Sequence, residues 1–280
     1  MKIVLISNSE KDRDFKVSSD ISEYLKSKGA DVYSDFLMKD TLKAERASVI
    51  KSCDIIITVG GDGTILKVVK EAYLYDKPIL AVNLGTVGYM ACMEPSEYSK
   101  FDSLFEGNYK YQYRSVLYVS VENSVRGICE DFIALNDAVI SHGNWTQIMN
   151  IDLLCNGKFI TSYRADGLIF ATPTGSTAYS LSAGGPIVDP SLDSMIITPI
   201  CPHKMYSRTI IVPPEKVVTV KCKSSIDNDA VVAADSEILG KLLCNESVTI
   251  GVAQQKFKLI RFKGYKFFGV LHNKLIKKED

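Results

Sequence analysis

The chain has 280 residues, 46% of them hydrophobic and 24% charged, with 33 Lys plus Arg against 33 Asp plus Glu. These figures exclude a disordered chain, a coiled coil and a generally basic nucleic-acid binder, and the length suits about two domains. No apolar run reaches the ~18 residues that read as a membrane span, the run at residues 3–6 is too short for a signal peptide, and seven scattered cysteines with no CxxC pair point to reduced thiols in a cytoplasm.

In chain order, residues 2–7 read as a short buried strand. Residues 20–28 (DISEYLKSK) space Ile21, Tyr24 and Leu25 as one helical face, and Gly29 is a natural stop. Residues 31–33 suit a second strand and 41–52 a helix. Residues 54–59 (DIIITV) are rich in β-branched side chains and end at Gly60 and Gly61, which reads as a buried strand. A helix over 64–75 follows, with Ile65, Val68, Val69 and Ala72 on one face, then a strand over 79–82. Strands separated by helices predict a parallel, Rossmann-like sheet in an α/β N-terminal domain over residues 1–112.

From about residue 111 the period changes to two. Leu117, Val119 and Val121 alternate with polar neighbours, as do Ile151, Leu153 and Cys155 before Asn156-Gly157, a strong hairpin signal. Val218, Val220 and Cys222 alternate again, and so do Val248, Ile250 and Val252. Closely spaced strands of this kind predict an all-β, sandwich-like C-terminal domain over residues 113–261. A last helix is expected over 267–277.

Four stretches carry chemistry. The first is GGDGT at residues 60–64, between a strand and a helix. Gly61 and Gly63 let backbone N–H groups approach a phosphate, and the helix that begins there turns its positive end to the same spot. A carboxylate beside a phosphate is repelled unless it binds a metal or takes a proton. Asp62 is therefore a metal ligand or a general base; the plain alternative is a turn with an Asp cap. Lys67 could neutralise phosphate charge. The second stretch, NLGTVGY at 83–89, follows the next strand and so falls at the same sheet edge, where ligands of α/β proteins bind. The third, residues 164–186, packs hydroxyls and glycines densely, in a way that suits sugar and phosphate recognition, with Arg164 and Asp166 flanking a strand at 168–171; otherwise it is a polar loop with a helix cap. The fourth, Asn136-Asp137, pairs an amide with a carboxylate that can grip a ribose diol or an adenine edge, or is an ordinary turn. His142, His203 and His272 lack metal-ligand spacing.

Together these stretches resemble the NAD kinase family. The matching segments are GGDGT (60–64), NLGTVGY (83–89), LND (135–137), DGLIFATPTGSTAYSLSAGGPIV (166–188) and TPICPHKMYSRTIIVPP (198–214). The resemblance implies that residues of about 262–280 return to complete the first domain. It implies transfer of the γ-phosphate of ATP, or of phosphate from polyphosphate, to the 2′-hydroxyl of the adenosine ribose of NAD, with a divalent metal such as Mg²⁺. It also implies self-association, as a dimer or tetramer, and no nucleic-acid or membrane partner. In family terms Asp62 is the base, with metal binding an alternative role. Gly61, Gly63, Thr64 and Lys67 belong with the phosphates, and Asn136 and Asp137 with the adenosine. Asp166 belongs with the nicotinamide carboxamide, and Thr177, Ala178 and Tyr179, with Ser182 close by, with the dinucleotide groove; Arg164 and Ser180 are further dinucleotide-binding residues. Glu237 is a further contact. The family usually has Asn-Glu where this chain has Asn136-Asp137, and often Asp-Gly-Gln where it has Asp235-Ser236-Glu237. Two other classes fit parts of the pattern: a lipid or sugar kinase, and an NAD-binding regulator without activity.

Overall fold

The computed structural model describes residues 1–35, 43–85, 88–123, 128–143, 148–204, 207–223, 230–242 and 246–275. Two compact units emerge, one of residues 1–113 and 257–280, the other of 114–256.

The first unit begins with β1 (Lys2–Ser7), α1 (Lys16–Ser27), β2 (Asp31–Asp35), α2 (Lys43–Ser52), β3 (Ile55–Gly60), α3 (Asp62–Leu74), β4 (Ile79–Asn83), α4 (Tyr98–Phe105) and β5 (Lys110–Arg114). β1 pairs in parallel with β2 and β3, and β3 with β4. Both faces are buried, which is why these strands read as unbroken apolar runs. Ile3, Leu5, Ile55, Ile57, Val59, Leu80 and Val82 form one face, packed against Ile21 and Leu25 of α1 and Phe101 and Leu104 of α4. α3 packs on β3 and β4. α1 starts four residues before the sequence pattern suggests. The buried Asp12 carboxylate accepts the N–H groups of Val17 and Ser18 and the hydroxyls of Ser7 and Ser18, so the cap lies outside the helix that it stabilises. Gly29 at φ 84° closes the helix, and the Ala30 N–H returns to the Leu25 carbonyl. Residues 41–42 of the expected second helix lie outside the described residues.

The second unit holds β6 (Leu117–Asn123), β7 (Ile128–Ala134), β8 (Asp137–His142), β9 (Met149–Cys155), β10 (Lys158–Ala165), β11 (Gly167–Ala171), the short α5 (Tyr179–Ser182), β12 (Met195–Ile200), β13 (Ile210–Val212), β14 (Val218–Lys223), β15 (Ala230–Ala234), β16 (Glu237–Leu242) and β17 (Ser247–Val252). They form two sheets, ordered β10-β9-β14-β17-β6-β7 and β13-β12-β11-β8-β15-β16. One buried cluster draws Leu117, Leu153, Val220 and Ile250 from the first sheet and Ile140, Phe170, Ile197 and Val232 from the second, which makes the unit a sandwich. Asn156 and Gly157, at φ 47° and 74°, form the two-residue hairpin turn between β9 and β10. The outer face of the second sheet is covered as well: Ile169, Ala171 and Ile196 pack under Ala183 and Val188, in the segment around α5.

The chain then returns to the first unit as β18 (Phe257–Arg261), which enters the sheet between β4 and β5 to give the order β2-β1-β3-β4-β18-β5. α6 (Phe267–Leu275) follows; residues 276–277 of the expected helix lie outside the described ones. The fold class read from the sequence, an α/β unit and a sandwich-like β unit, is therefore the one observed. No helix among the described residues is long and apolar enough to cross a membrane.

Candidate active site

In the first unit, β3 ends at Gly60 and α3 starts at Asp62, two residues before the expected helix. Gly61 is the N-cap, extended at φ −102° and ψ −173°, and no side chain caps the helix. The Thr64 N–H bonds the Gly61 carbonyl at 2.9 Å, while no side chain occupies the positive end of α3, which suits an anion. Asp62 does not cap α3. Its Oδ2 accepts the Tyr89 N–H at 2.8 Å and its Oδ1 the Met90 N–H at 3.0 Å. The carboxylate thereby ties the first glycine loop to the second, and each oxygen keeps a further acceptor position. A Cβ on Gly88 would stand 2.2 Å from Asp62 Oδ1, so only glycine lets the second loop close on this carboxylate. Thr86 and Val87 of that loop lie outside the described residues.

Thr64 is buried. Its hydroxyl lies 2.2 Å from where a Cβ on Gly60 would stand and 3.5 Å from Asn8 Nδ2, so it locks the turn rather than facing outward. A Cβ on Gly63 would meet nothing within 4 Å. Packing therefore does not require glycine there, although a glycine in a helix costs about 0.5–1 kcal/mol relative to alanine. Lys67 is exposed on the second turn. The cation beside the glycines is Lys11, whose Nζ lies 2.8 Å from where a Cβ on Gly61 would stand. Sequence reading missed Lys11 because it belongs to the loop after β1 and meets the turn only through the parallel pairing of β1 with β3.

In the second unit, Asn136 and Asp137 enter β8 on a support the sequence did not reveal. The Asp235 carboxylate accepts three backbone N–H groups, from Leu135 and Asn136 at 2.7 Å each and from Asp137 at 3.2 Å. Asp235 and Ser236 have φ of 45° and 71°, the two-residue turn that joins β15 to β16. The hydroxyl-rich stretch docks on the same backbone. Thr172 donates its N–H to the Asn136 carbonyl and its hydroxyl to that of Leu135, at 2.9 and 2.6 Å. The structure thus brings Asn136, Asp137 and the segment 172–176 together.

The hydroxyls of that segment divide in two. Ser176 bonds Pro173 and Val188, and Ser180, fully buried, bonds Thr198 at 3.0 Å. Ser180 is thus buried within the frame of the segment. Thr177 and Ala178 are half-buried, and Tyr179, Ser182 and Glu237 are exposed. Asp166 sits at the crossover from β10 to β11, and Arg164 lies within β10 rather than beside β11. In the β8–β11 pairing Asp137 faces Ala171 and Ser141 faces Gly167, so Asp166 lies at the far end of the pair from Asn136 and Asp137, roughly 17 Å along a strand. Asp166 is 3.9 Å from His142 Nε2. A cavity of about 700 Å³ lies at this end, lined by Tyr163, His203 and Arg208; the His203 N–H donates to the Arg164 carbonyl.

Burial, and then the neighbouring Asp235 charge, push the Asp137 carboxyl up to about 7. Burial also raises Asp235, against the three N–H groups that lower it. A carboxyl that keeps its proton near neutrality can donate a hydrogen bond to a ligand acceptor. It also has a consequence for stability. The folded pKa lies above the unfolded value, so between about pH 4 and 7 the unfolded chain binds fewer protons and stability falls as pH rises. The expected loss is on the order of a few kcal/mol. Urea midpoints at pH 5, 6.5 and 8 should fall less steeply in Asp137→Asn than in the parent; equal slopes would mean that Asp137 ionises normally.

A divalent ion fits this chain in one way. Among the described residues no group of three His, Cys, Asp or Glu side chains could hold a metal. Asp62, with acceptor capacity at the glycine turn, suits Mg²⁺ carried in by nucleotide phosphates rather than caged by protein.

Comparison with known proteins identifies the family. Family profiles match over residues 3–109 (ATP-NAD kinase N-terminal domain) and 135–262 (ATP-NAD kinase C-terminal domain). An NAD kinase of Thermoanaerobacter sp. (strain X514) is 36% identical over 280 residues, covering 98% of each chain. Among solved structures, yeast NADH kinase complexed with NADH superposes with a TM-score of 0.87 at 23% identity, over 98% of this chain and 87% of that one. An NAD kinase from Archaeoglobus fulgidus in complex with ATP gives 0.76 at 25% identity, over 98% of both. Fold, glycine turn and matched profiles together define a kinase, a phosphotransferase built of an α/β unit and a β-sandwich unit. The chain belongs to the NAD kinase family.

Proposed function

We propose that this chain makes NADP by transferring the γ-phosphate of ATP to the 2′-hydroxyl of the adenosine ribose of NAD. The observation that carries the reading is the Asp62 carboxylate, set at the open N-terminus of α3, turned away from capping its own helix and oriented by the Tyr89 and Met90 N–H groups. A ribose hydroxyl is a weak nucleophile, and Asp62 takes its proton as it attacks. The rest of phosphoryl transfer is positioning and charge neutralisation. Gly61 and Gly63 offer backbone N–H groups, and Lys11 supplies a positive charge beside them. A divalent ion arriving with the nucleotide would supply further neutralisation of phosphate charge; Asp62 would hold it only as the alternative to its role as base. Asn136 and Asp137 hold the adenosine, Thr177, Ala178, Tyr179 and Ser182 line the dinucleotide groove, and Asp166 serves the nicotinamide side. ATP, rather than polyphosphate, is the donor in this reading, in keeping with the ATP named in the matched profiles and in the archaeal complex.

The same reading includes self-association. In the second unit Phe159 and Ile160 on β10, Ile211 on β13 and Ile238 on β16 are exposed, and all three are edge strands. Exposed apolar edges are covered in stable proteins. A cytoplasmic location is consistent with free thiols at Cys53, Cys92, Cys155, Cys201 and Cys222.

The test is NADP formation from NAD, ATP and Mg²⁺, followed with an NADP-specific dehydrogenase. Robust formation is expected. Tight NAD binding with no NADP would leave a dinucleotide-binding regulator, and phosphorylation of sphingosine or fructose 6-phosphate instead would make the chain a lipid or sugar kinase.

A further inference from the structure

We infer that Tyr265 and Arg261, on the chain's return to the first unit, are positioning residues that hold Asp62 in register through the Tyr89–Met90 backbone. The inference rests on the reading of Asp62 as the base.

Asp62 takes the N–H groups of Tyr89 and Met90. The carbonyls of the same two residues are gripped as well. The Tyr265 hydroxyl donates to the Tyr89 carbonyl at 3.0 Å, and Arg261 Nη1 donates to the Met90 carbonyl at 2.6 Å. The Tyr89 carbonyl and the Met90 N–H are two ends of one planar peptide group. That group is therefore held at its oxygen by Tyr265 and at its N–H by Asp62. A donor on the oxygen polarises the amide and strengthens its N–H as a donor, so the two bonds reinforce each other.

The clamp is itself fixed. Arg261, 6% exposed and last in β18, also gives its Nε to Gln112 Oε1 at 2.7 Å. Its guanidinium lies 4.1 Å from the centre of the Tyr265 ring, within cation–π range. Gly264 at φ 100° forms the turn that brings Tyr265 back to this position, a conformation that favours glycine. A strand that enters the sheet beside β4 thus ends in two side chains that fix the loop following β4.

Tyr265→Phe removes one hydroxyl and leaves the ring beneath Arg261. It should lower kcat about tenfold, because a base displaced by a fraction of an ångström loses rate without loss of substrate binding; KM for NAD should stay within about twofold. In the Asp62→Asn background the same change should cost nothing further, because the group it positions is gone. Arg261→Lys, which keeps the charge and gives up the fork, should follow the same pattern and serves if Tyr265→Phe folds poorly. Parental kcat in Tyr265→Phe, or an equal loss with and without Asp62, would overturn the clamp. Parental turnover in Asp62→Asn alone would overturn Asp62 as the base, and that result is independent of Tyr265.

Discussion

Asp62→Asn should lower turnover by roughly 10²–10⁴-fold, the usual span for a general base, with NAD affinity nearly unchanged. The substitution preserves shape but not hydrogen bonding. The parent carboxylate accepts two N–H groups, one on each oxygen, whereas an asparagine offers one oxygen and one donor amide. One of the Tyr89 and Met90 N–H groups then faces another donor, at a cost of about 1–3 kcal/mol. A modest fall in stability is therefore expected beside the fall in rate, and calorimetric NAD binding shows whether the site survives it. Three readings of Asp62 separate in one data set. As base it gives low turnover at any Mg²⁺ concentration. As metal ligand it gives a rate partly restored by raised Mg²⁺. As a purely structural tie between the two loops it gives lost stability with turnover per folded molecule within threefold of the parent, and that last result would remove it from catalysis.

Gly175→Ala should damage the second unit more than any change confined to its surface. A Cβ there would stand 2.0 Å from the Asn136 carbonyl oxygen and 2.7 Å from its Cα, all backbone atoms held by Thr172 and Asp235. No flexible side chain can give way, so Asn136 must move or the segment 172–176 must lift. Overpacking of this kind costs about 1–3 kcal/mol, or roughly 3–10 °C in melting temperature for a domain of this size. NAD affinity should fall at least about tenfold, which corresponds to 1.4 kcal/mol. Gly269→Ala, inside α6, is the control: its Cβ would come no nearer than 3.9 Å to any neighbour, so NAD binding should stay parental and melting temperature should stay level or rise slightly. Normal NAD affinity in a folded Gly175→Ala would mean that Asn136 does not hold the dinucleotide.

What was legible in the sequence is what short-range physics controls. Period two over residues 117–121, 151–155, 218–222 and 248–252 marks strands with one face in the sandwich core, and Leu117, Leu153, Val220 and Ile250 are indeed fully buried. Asn156-Gly157 specifies its own turn. The strand-to-helix change around Gly60–Gly63 was visible because β-branched residues, glycines and a helical face follow one another within twenty positions. Long-range partners were not visible. Asp235 supports residues about a hundred positions away, and its local signal, an Asp-Ser pair between two alternating runs, says turn and nothing more. Lys11 reaches Gly61 only through strand pairing, and Arg261 and Tyr265 reach Tyr89 and Met90 only because β18 returns to the first sheet. The same holds within the hydroxyl-rich stretch: Ser180 looks like its neighbours in sequence, yet its partner is Thr198 on β12.

The most direct test of the central claim follows the phosphate itself. The protein is incubated with NAD, Mg²⁺ and ATP labelled at the γ-phosphate, and the dinucleotide product is isolated and its phosphorus spectrum recorded. Label on the 2′-oxygen of the adenosine ribose, in a product reduced by an NADP-specific dehydrogenase, is the predicted result. Labelled product phosphorylated at another position, or ATP consumed with no label in the dinucleotide, would contradict it.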